Sequence, residues 1–405
     1  MGICIKEALR IIKSNISKIS YEIVPIENSN KKIIAENIHA KYSLPTFNNS
    51  AMDGYGVKLC DEGEIVKVCD DIFAGSPKET QIEPTQCIKI MTGARVPSSV
   101  EAVIPFELVE IIDENHIRIP RGIEKNQHIR FTGEDIQKDE KILSDGDEIN
   151  FSAITILASQ GITHIKVYRK PKVSVFTSGE ELKLHYEKIE DYQIFNSNTP
   201  TLLSRVNELG CDVSFAGMAK DNIESLQQMI GNSLHADFII TTGGISVGEA
   251  DFTQEAFEQF EMDILFNGIS IKPGKPTIFG KLKDTYILNL PGNPLAAALI
   301  FEVFGTIIIQ KLSGSKDIYH NYITTKISED LKNKKGRTTI IPGWFDGDYF
   351  IPSKKRFPGM VGVLHKCNSM IILNKNLTGL LKDDTVKVIP INWKFYTDIH
   401  KDFFN

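Results

Sequence analysis

FIITTGGISVGEAD, residues 238–251, decides the fold. Phe238, Ile239 and Ile240 form the uninterrupted apolar run of a strand buried on both faces of a parallel sheet. Thr241, Thr242, Gly243 and Gly244 stop the strand. Ser246 and Gly248 continue a loop of little side-chain bulk, and Asp251 stands at the N-cap of a helix over DFTQEAFEQF. A strand, a glycine-rich turn and a helix start bring backbone N–H groups together where the helix dipole is positive, which suits an anion. Glu249 and Asp251 at the rim suit a divalent cation bridging to that anion. A plain connection in any α/β domain can carry the same residues.

The flanking sequence repeats the theme. VSVFTSGEEL (173–182), CDVSFAGMAKDN (211–222) and YILNLPGNP (286–294) each read as a strand running into a polar turn. NSNTPTLLSRVNELG and IESLQQMIGNSLHA between them read as helices. Strands alternating with helices predict βαβ units and a doubly wound parallel sheet. Ligands of such sheets bind beyond the carboxyl ends of the strands. Four strand ends carry unusual polar residues: Ser178–Glu181, Asp221, Gly243–Asp251 and Pro291–Asn293. ISIKPGKPTIFG (269–280) adds Lys272 and Lys275; Pro273 and Pro276 predict an extended segment that turns both ammonium groups one way. It is not a P-loop, because Pro276 stands where Ser or Thr would reach magnesium. LAAALIFEVFGTIII (295–309) is interrupted by Glu302 and short for a membrane span, so it predicts a core helix.

Before this region, Ile5, Ala8, Leu9 and Ile12 recur at helical spacing. From about 58 to 130 the runs EIVKVCD, CIKIMTG, AVIPFELVEII and HIRIP predict a β-rich domain. Within NNSAMDGYGV (48–57), Asp53-Gly54 is either a hairpin turn or, with Ser50 and Tyr55, the wall of a pocket. RFTGEDI (130–136) places Glu134 and Asp135 in a turn, where acids are solvated unless a ligand uses them. After about 316, TTKISEDL, TTIIPGWF, MIILN and TVKVIPINW predict a small β-barrel or sandwich. A length of 405 residues suggests several domains, and a net charge of −6 argues against general nucleic-acid binding. The six cysteines form no CxxC pair and the nine histidines no HExxH pattern, which argues against zinc and disulfides and fits a reducing compartment. MGICIKEALRIIK carries charges in an amphipathic pattern unlike a secretory leader; the expectation is a cytoplasmic protein with no membrane partner.

Seven segments in order then resemble one family: SAMDGYG (50–56), MTGARVP (91–97), GEDI (133–136), TSGEEL (177–182), TTGGISVGEADF (241–252), IKPGKP (271–276) and LPGNP (290–294). Together they resemble the molybdopterin molybdenumtransferases of the MoeA type, whose eukaryotic relatives include the gephyrin E domain. The resemblance implies a multidomain α/β plus β fold. Residues 1–22 and 131–170 would form an elongated N-terminal region, and 23–130 a β-rich insertion domain. Residues 171–315 would form a doubly wound molybdopterin-binding α/β domain, and 316–405 a C-terminal β-barrel-like domain.

The implied reaction takes adenylylated molybdopterin and molybdate and yields molybdenum cofactor and AMP, with a divalent cation such as Mg²⁺. The resemblance implies catalytic roles for Asp53, Thr92, Asp135, Glu181, Asp221, Asp251, Lys272 and Lys275. It implies substrate-binding roles for Ser50, Gly243, Gly244, Ser246, Gly248, Pro291, Gly292 and Asn293, and cation ligation by Glu181 and Asp251. It further implies a homodimer whose active sites join the α/β domain of one subunit to the β-rich region of the other. The adenylyltransferase of the same pathway and molybdoenzyme targets are implied partners. The chain departs from the family pattern at Asn48, Gly56, Glu180 and Asn222. In the C-terminal region, FPGMVGVLHKCN and Pro342 also depart, so no functional residue is carried there. Two competing readings are a gephyrin-like scaffold without catalysis and a serine hydrolase. The hydrolase would use Gly244, Ser246 and Gly248 as a G-x-S-x-G elbow, with Asp251 and His365. A third is an adenylyltransferase built on the related α/β domain.

Overall fold

A computed structural model describes residues 2–244 and 252–393. They fall into two compact units, one of Met1–Glu36, Asp145–Phe151 and His164–Asn405, the other of Asn37–Ser144 and Ser152–Thr163. The first unit opens with α1 (Ile5–Asn15), which buries Ala8 and Ile12 as its helical spacing predicts, and β1 (Tyr21–Pro25). The second unit holds β2 (Gly54–Val57), β3 (Ile65–Ile72), β4 (Gln86–Ile90), β5 (Ala102–Pro105), β6 (Glu110–Ile111) and β7 (His116–Arg118). They form one sheet in the order β5-β2-β4-β3-β7-β6. Gly54 begins a strand and is no hairpin turn: a Cβ there would lie 2.0 Å from the Ile104 carbonyl oxygen. Tyr55 packs edge-on against Phe106 in the core of this sheet.

The chain continues through α2 (Phe151–Ser159), which ends ahead of Gly161 at φ +63°, and β8 (His164–Tyr168), antiparallel to β1. Then follow β9 (Lys172–Ser178), β10 (Leu182–Lys183), β11 (Ile194–Phe195), α3 (Asn198–Glu208), β12 (Asp212–Ala219) and α4 (Ile223–Ser233). Next come β13 (Phe238–Thr242), α5 (Phe252–Gln259), β14 (Asp263–Asn267), β15 (Ile271–Lys272), β16 (Ile278–Leu282) and β17 (Thr285–Leu290). The central sheet runs β12-β9-β13-β17-β16-β14. Its first four strands are parallel; β16 and β14 add an antiparallel margin. Every residue of β13 is buried because helices cover both faces. Val175, Ile240 and Leu288 pack with α1 and α3 on one face, while Phe176, Ile239 and Ile287 pack with α4 and α5 on the other. This is the doubly wound α/β domain that the alternation predicts.

Residues Pro294–Leu312 form one continuous 19-residue helix: α6 (Pro294–Ile300), a wider turn over Phe301–Gly305, and α7 (Thr306–Leu312). It is long and apolar enough to cross a membrane, yet 83% of its most apolar window is buried inside this unit. Glu302 is buried in the wide turn, where Arg205 of α3 grips it through Nε at 2.7 Å and Nη2 at 3.1 Å. Removing one partner of a buried ion pair strands the other charge in a poor solvent. Arg205→Ala should therefore cost about 3 kcal/mol in urea unfolding, whereas Arg205→Met with Glu302→Met should recover most of it.

The C-terminal sheet holds β18 (Ile323–Ile327), β19 (Thr338–Phe345), β20 (Tyr349–Pro352), β21 (Ser369–Leu373) and β22 (Thr385–Pro390). They close in the order β19-β20-β18-β22-β21, and β21 pairs back onto β19. The structure is thus a closed barrel, filled by Ile327, Ile341, Phe350, Ile371 and Val388. β15 joins the same sheet beside β19, with Ile271 opposite Thr338. The lysine segment is not the extended rod expected from its prolines. Gly274 takes φ +109°, and the Lys275 carbonyl accepts from the Ile269 and Thr277 amides at 2.9 and 3.0 Å. A glycine between the prolines permits this closed turn.

Candidate functional site

The parallel strands β12, β9, β13 and β17 all end on one edge of the sheet, so their following turns meet. A cavity of about 800 Å³ lies there. Its wall takes Ser178, Gly179 and Glu181 from the turn after β9, Asp221 from the turn after β12, Gly243 and Gly244 after β13, and Gly292 and Asn293 after β17. These strand ends are the ones that stood out in the sequence. Gly243 takes φ +87°, and a Cβ on it would lie 2.4 Å from the Ser178 carbonyl oxygen. A Cβ on Gly292 would lie 3.5 Å from the Gly243 Cα, so the two glycine turns pack against each other with their backbones open to the cavity. Pro291 is buried in its turn, and Asn293 precedes Pro294, the first residue of α6; the Leu295 amide of that first turn donates to the Pro358 carbonyl at 3.0 Å. The Asp221 carboxylate accepts from the Glu180 amide at 3.3 Å.

Residues that the sequence reading did not select complete the wall. Asn196, Ser197 and Asn198 bring the amino end of α3 to the cavity, and Asn198 Nδ2 donates to the Gly292 carbonyl at 2.7 Å. That amide clasp ties α3 to the turn before α6. Gly359 and Val361 reach the cavity from the C-terminal region, from which no functional residue was carried. Lys272 and Lys275 are exposed and do not line this cavity. Their turn is fastened to the helix instead, since a Cβ on Gly274 would strike Ile300 Cδ1 at 2.2 Å. Ser246, Gly248, Glu249 and Asp251 lie outside the described residues. His365 does not line the cavity either.

Ser50, Asp53, Thr92 and Asp135 all belong to the second unit, on three loops that hydrogen bonds stitch together. Asp53 Oδ1 accepts from both the Thr92 amide and the Thr92 hydroxyl, each at 2.7 Å. Asn48 Oδ1 does the same for Thr132, at 2.9 and 3.1 Å, so the amide at position 48 still fulfils an acceptor role. Ser50 is fully buried; its hydroxyl donates to the Met52 carbonyl at 2.6 Å and its backbone carbonyl accepts from Gly93. It shapes the loop through its backbone and turns no free hydroxyl outward. Asp135 is exposed, with its amide on the Leu44 carbonyl at 2.9 Å.

The Thr92 amide, helped by the Thr92 hydroxyl, holds the exposed Asp53 carboxyl below the ordinary carboxylate value. A depressed carboxylate contributes stability above its unfolded-state pKa and loses it as pH falls through the folded one. Thr92→Val should therefore raise the Asp53 midpoint in an NMR titration and move this acid-side loss of stability to higher pH.

Of the two carboxylates expected to bind a cation, Glu181 lines the cavity and Asp251 lies outside the described residues; Asp221 adds a second carboxylate to the wall. Among the described residues no cluster of three His, Cys, Asp or Glu could hold a metal alone. One or two carboxylates plus phosphate oxygens suit Mg²⁺, which keeps several waters and seldom takes an all-protein cage. The donor set fits a cation that arrives with a phosphorylated ligand. All six cysteines are free thiols, and burial pushes Cys87 and Cys211 each up to about 12, so neither is a ready thiolate ligand.

Comparison with known proteins agrees with this layout. Residues 3–161 match the MoeA N-terminal region (domain I and II), and residues 174–311 match a probable molybdopterin binding domain. A molybdopterin molybdenumtransferase of Haemophilus influenzae is 33% identical over 381 residues, covering 92% of this chain and 94% of the relative. One from Staphylococcus epidermidis is 32% identical over 399 residues, covering 96% and 95%. The crystal structure of a molybdopterin biosynthesis MoeA protein from Pyrococcus horikosii superposes with a TM-score of 0.83 at 27% identity, over 97% of this chain and 100% of that one. Relatedness over nearly the whole length, through both the N-terminal and the molybdopterin-binding regions, places this chain in the molybdopterin molybdenumtransferase family.

Proposed function

We propose that the chain inserts molybdenum into adenylylated molybdopterin, giving molybdenum cofactor and AMP. What supports the reading most is the single cavity in which four parallel strand ends put glycine-turn amides beside Glu181 and Asp221. The Gly244, Gly292 and Asn293 amides of the two turns hold the phosphate groups, whose charge they meet with fixed donors, while the Gly243 amide is held by the Leu290 carbonyl at 3.3 Å. Lys272 and Lys275 offset further charge of phosphate or molybdate from their exposed turn. Glu181 and Asp251 hold Mg²⁺, which when bound stabilises negative charge on the departing AMP. Asp221 positions the Glu180–Glu181 turn through its bond to the Glu180 amide. Six free thiols fit a cytoplasmic enzyme, and its substrate comes from an adenylyl-transfer step.

The protein acts as a homodimer, in which the Asp53, Thr92 and Asp135 loops of one subunit complete the cavity of the other. The test is release of AMP from adenylylated molybdopterin with molybdate present. Asp53→Ala and Glu181→Ala should each be nearly inactive alone. Mixed subunits should regain about one quarter of wild-type activity, since half the dimers are mixed and one of their two sites is intact. No recovery from verified mixed dimers places both residues in one subunit's site. Wild-type protein that releases no AMP under any divalent cation refutes the reaction.

A further inference from the structure

The cavity has two chemically different sides. One is built of amides and carboxylates. The other is apolar and is lined by Leu182, Ile194, Phe195 and Val361. Ile194 is 57% exposed, Phe195 45% and Val361 50%, an unusual expense of apolar surface around one opening. Leu182 and Ile194 are register partners in the parallel pair of β10 and β11, and this short ribbon brings Leu182, Ile194 and Phe195 to the cavity wall. The pair is pinned by the Ile194 amide on the Glu181 carbonyl at 2.9 Å and the Asn196 amide on the Lys183 carbonyl at 2.7 Å. Val361 comes from a separate segment, which is anchored where the Leu295 amide donates to the Pro358 carbonyl at 3.0 Å.

We infer that Leu182, Ile194, Phe195 and Val361 form a seat for a flat heteroaromatic ring of the substrate, while the glycine turns hold its phosphates. The inference rests on the substrate reading above and extends it to residues that neither the motifs nor the carboxylates single out. A molecule that is highly charged at its phosphates and flat at its rings needs both kinds of wall in one cavity. Seating a ring covers the half-exposed side chains and removes their apolar area from water. The substrate offers two such rings, pterin and adenine, and the seat's chemistry accepts either.

The experiment measures the Kd of molybdopterin, of AMP and of inorganic pyrophosphate separately, on wild-type protein and on the double variant Ile194→Ser/Val361→Ser. All substituted side chains are half exposed, and thermal melts check that the fold persists. Molybdopterin or AMP should bind about tenfold more weakly to the variant, with pyrophosphate within about twofold of wild type. Weakening of molybdopterin alone assigns the seat to the pterin, and of AMP alone to adenine. Equal weakening of pyrophosphate, or unchanged binding of both ring ligands, overturns the seat. As a second readout, Phe195→Trp places an indole in the wall, far in sequence from Trp344 and Trp393, the two native tryptophans. Its emission should change on adding the ring ligand and stay constant with pyrophosphate; no change with either ring overturns the seat. Wild-type protein that binds neither ring ligand refutes the substrate reading as well, whereas intact wild-type binding with unaffected variants refutes the seat alone.

Discussion

Glu181→Ala lowers the rate of AMP release by about a thousandfold, the loss of roughly 4 kcal/mol of transition-state stabilisation. Glu181 is the exposed carboxylate of the turn after β9 and lines the cavity that the glycine turns open onto. Its chain position is set by β10, whose pairing with β11 uses the Glu181 carbonyl itself. The variant keeps that backbone bond, so the fold should persist while the negative charge disappears. The Mg²⁺ concentration for half-maximal rate should rise at least about tenfold, because one of two carboxylates is gone. Glu181→Asp, with the charge one methylene shorter, should recover part of the rate. Wild-type activity and an unshifted Mg²⁺ response in Glu181→Ala would remove this residue from cation binding.

Gly243→Ala should be the most damaging single-atom change in the cavity. Alanine at φ +87° is strained, and its Cβ would lie 2.4 Å from a backbone oxygen that cannot rotate away. Strain of this kind costs about 1–3 kcal/mol, and here relief requires the turns after β9 and β13 to separate. The turn after β13 carries amides proposed to hold phosphate, so binding of pyrophosphate should fall by about a hundredfold or more even in protein that remains folded. Calorimetric titration with pyrophosphate on the thermally checked variant decides the matter. Gly161→Ala is the control: it also has positive φ, but nothing lies within 4 Å of an added Cβ. It should show the backbone strain without loss of pyrophosphate binding.

The α/β domain was legible because burial on both faces leaves a local signature. β13 is apolar without alternation, and the helices between strands carry one apolar stripe. The antiparallel margin was not legible. β16 and β17 are joined by Lys283 and Asp284, with Lys283 at φ +54°, a tight hairpin that lacks the usual glycine or asparagine. Barrel and sandwich also looked alike, since closure depends on the pairing of β21 with β19 and no local pattern records that choice.

The sites divide in the same way. Glycine turns with acids at strand ends were readable, because parallel strands in one sheet must finish on the same edge. Asp53 was ambiguous until Thr92, thirty-nine positions away, proved to be its hydrogen-bond donor. Ile194 and Phe195 sit after an insert of mixed polarity with no period, and Val361 sits where the family motif is not kept.

By itself the amino-acid order determined the strand and helix types, the glycine turns and the family, because these depend on neighbours a few residues apart or on motifs kept in register. Only the tertiary structure decided that the barrel closes, that the lysine turn folds back on itself, and that Asn198, Ile194 and Val361 share a wall with Glu181. Those outcomes depend on contacts between distant segments, whose free energy is set by packing in three dimensions and leaves no periodic trace in the chain.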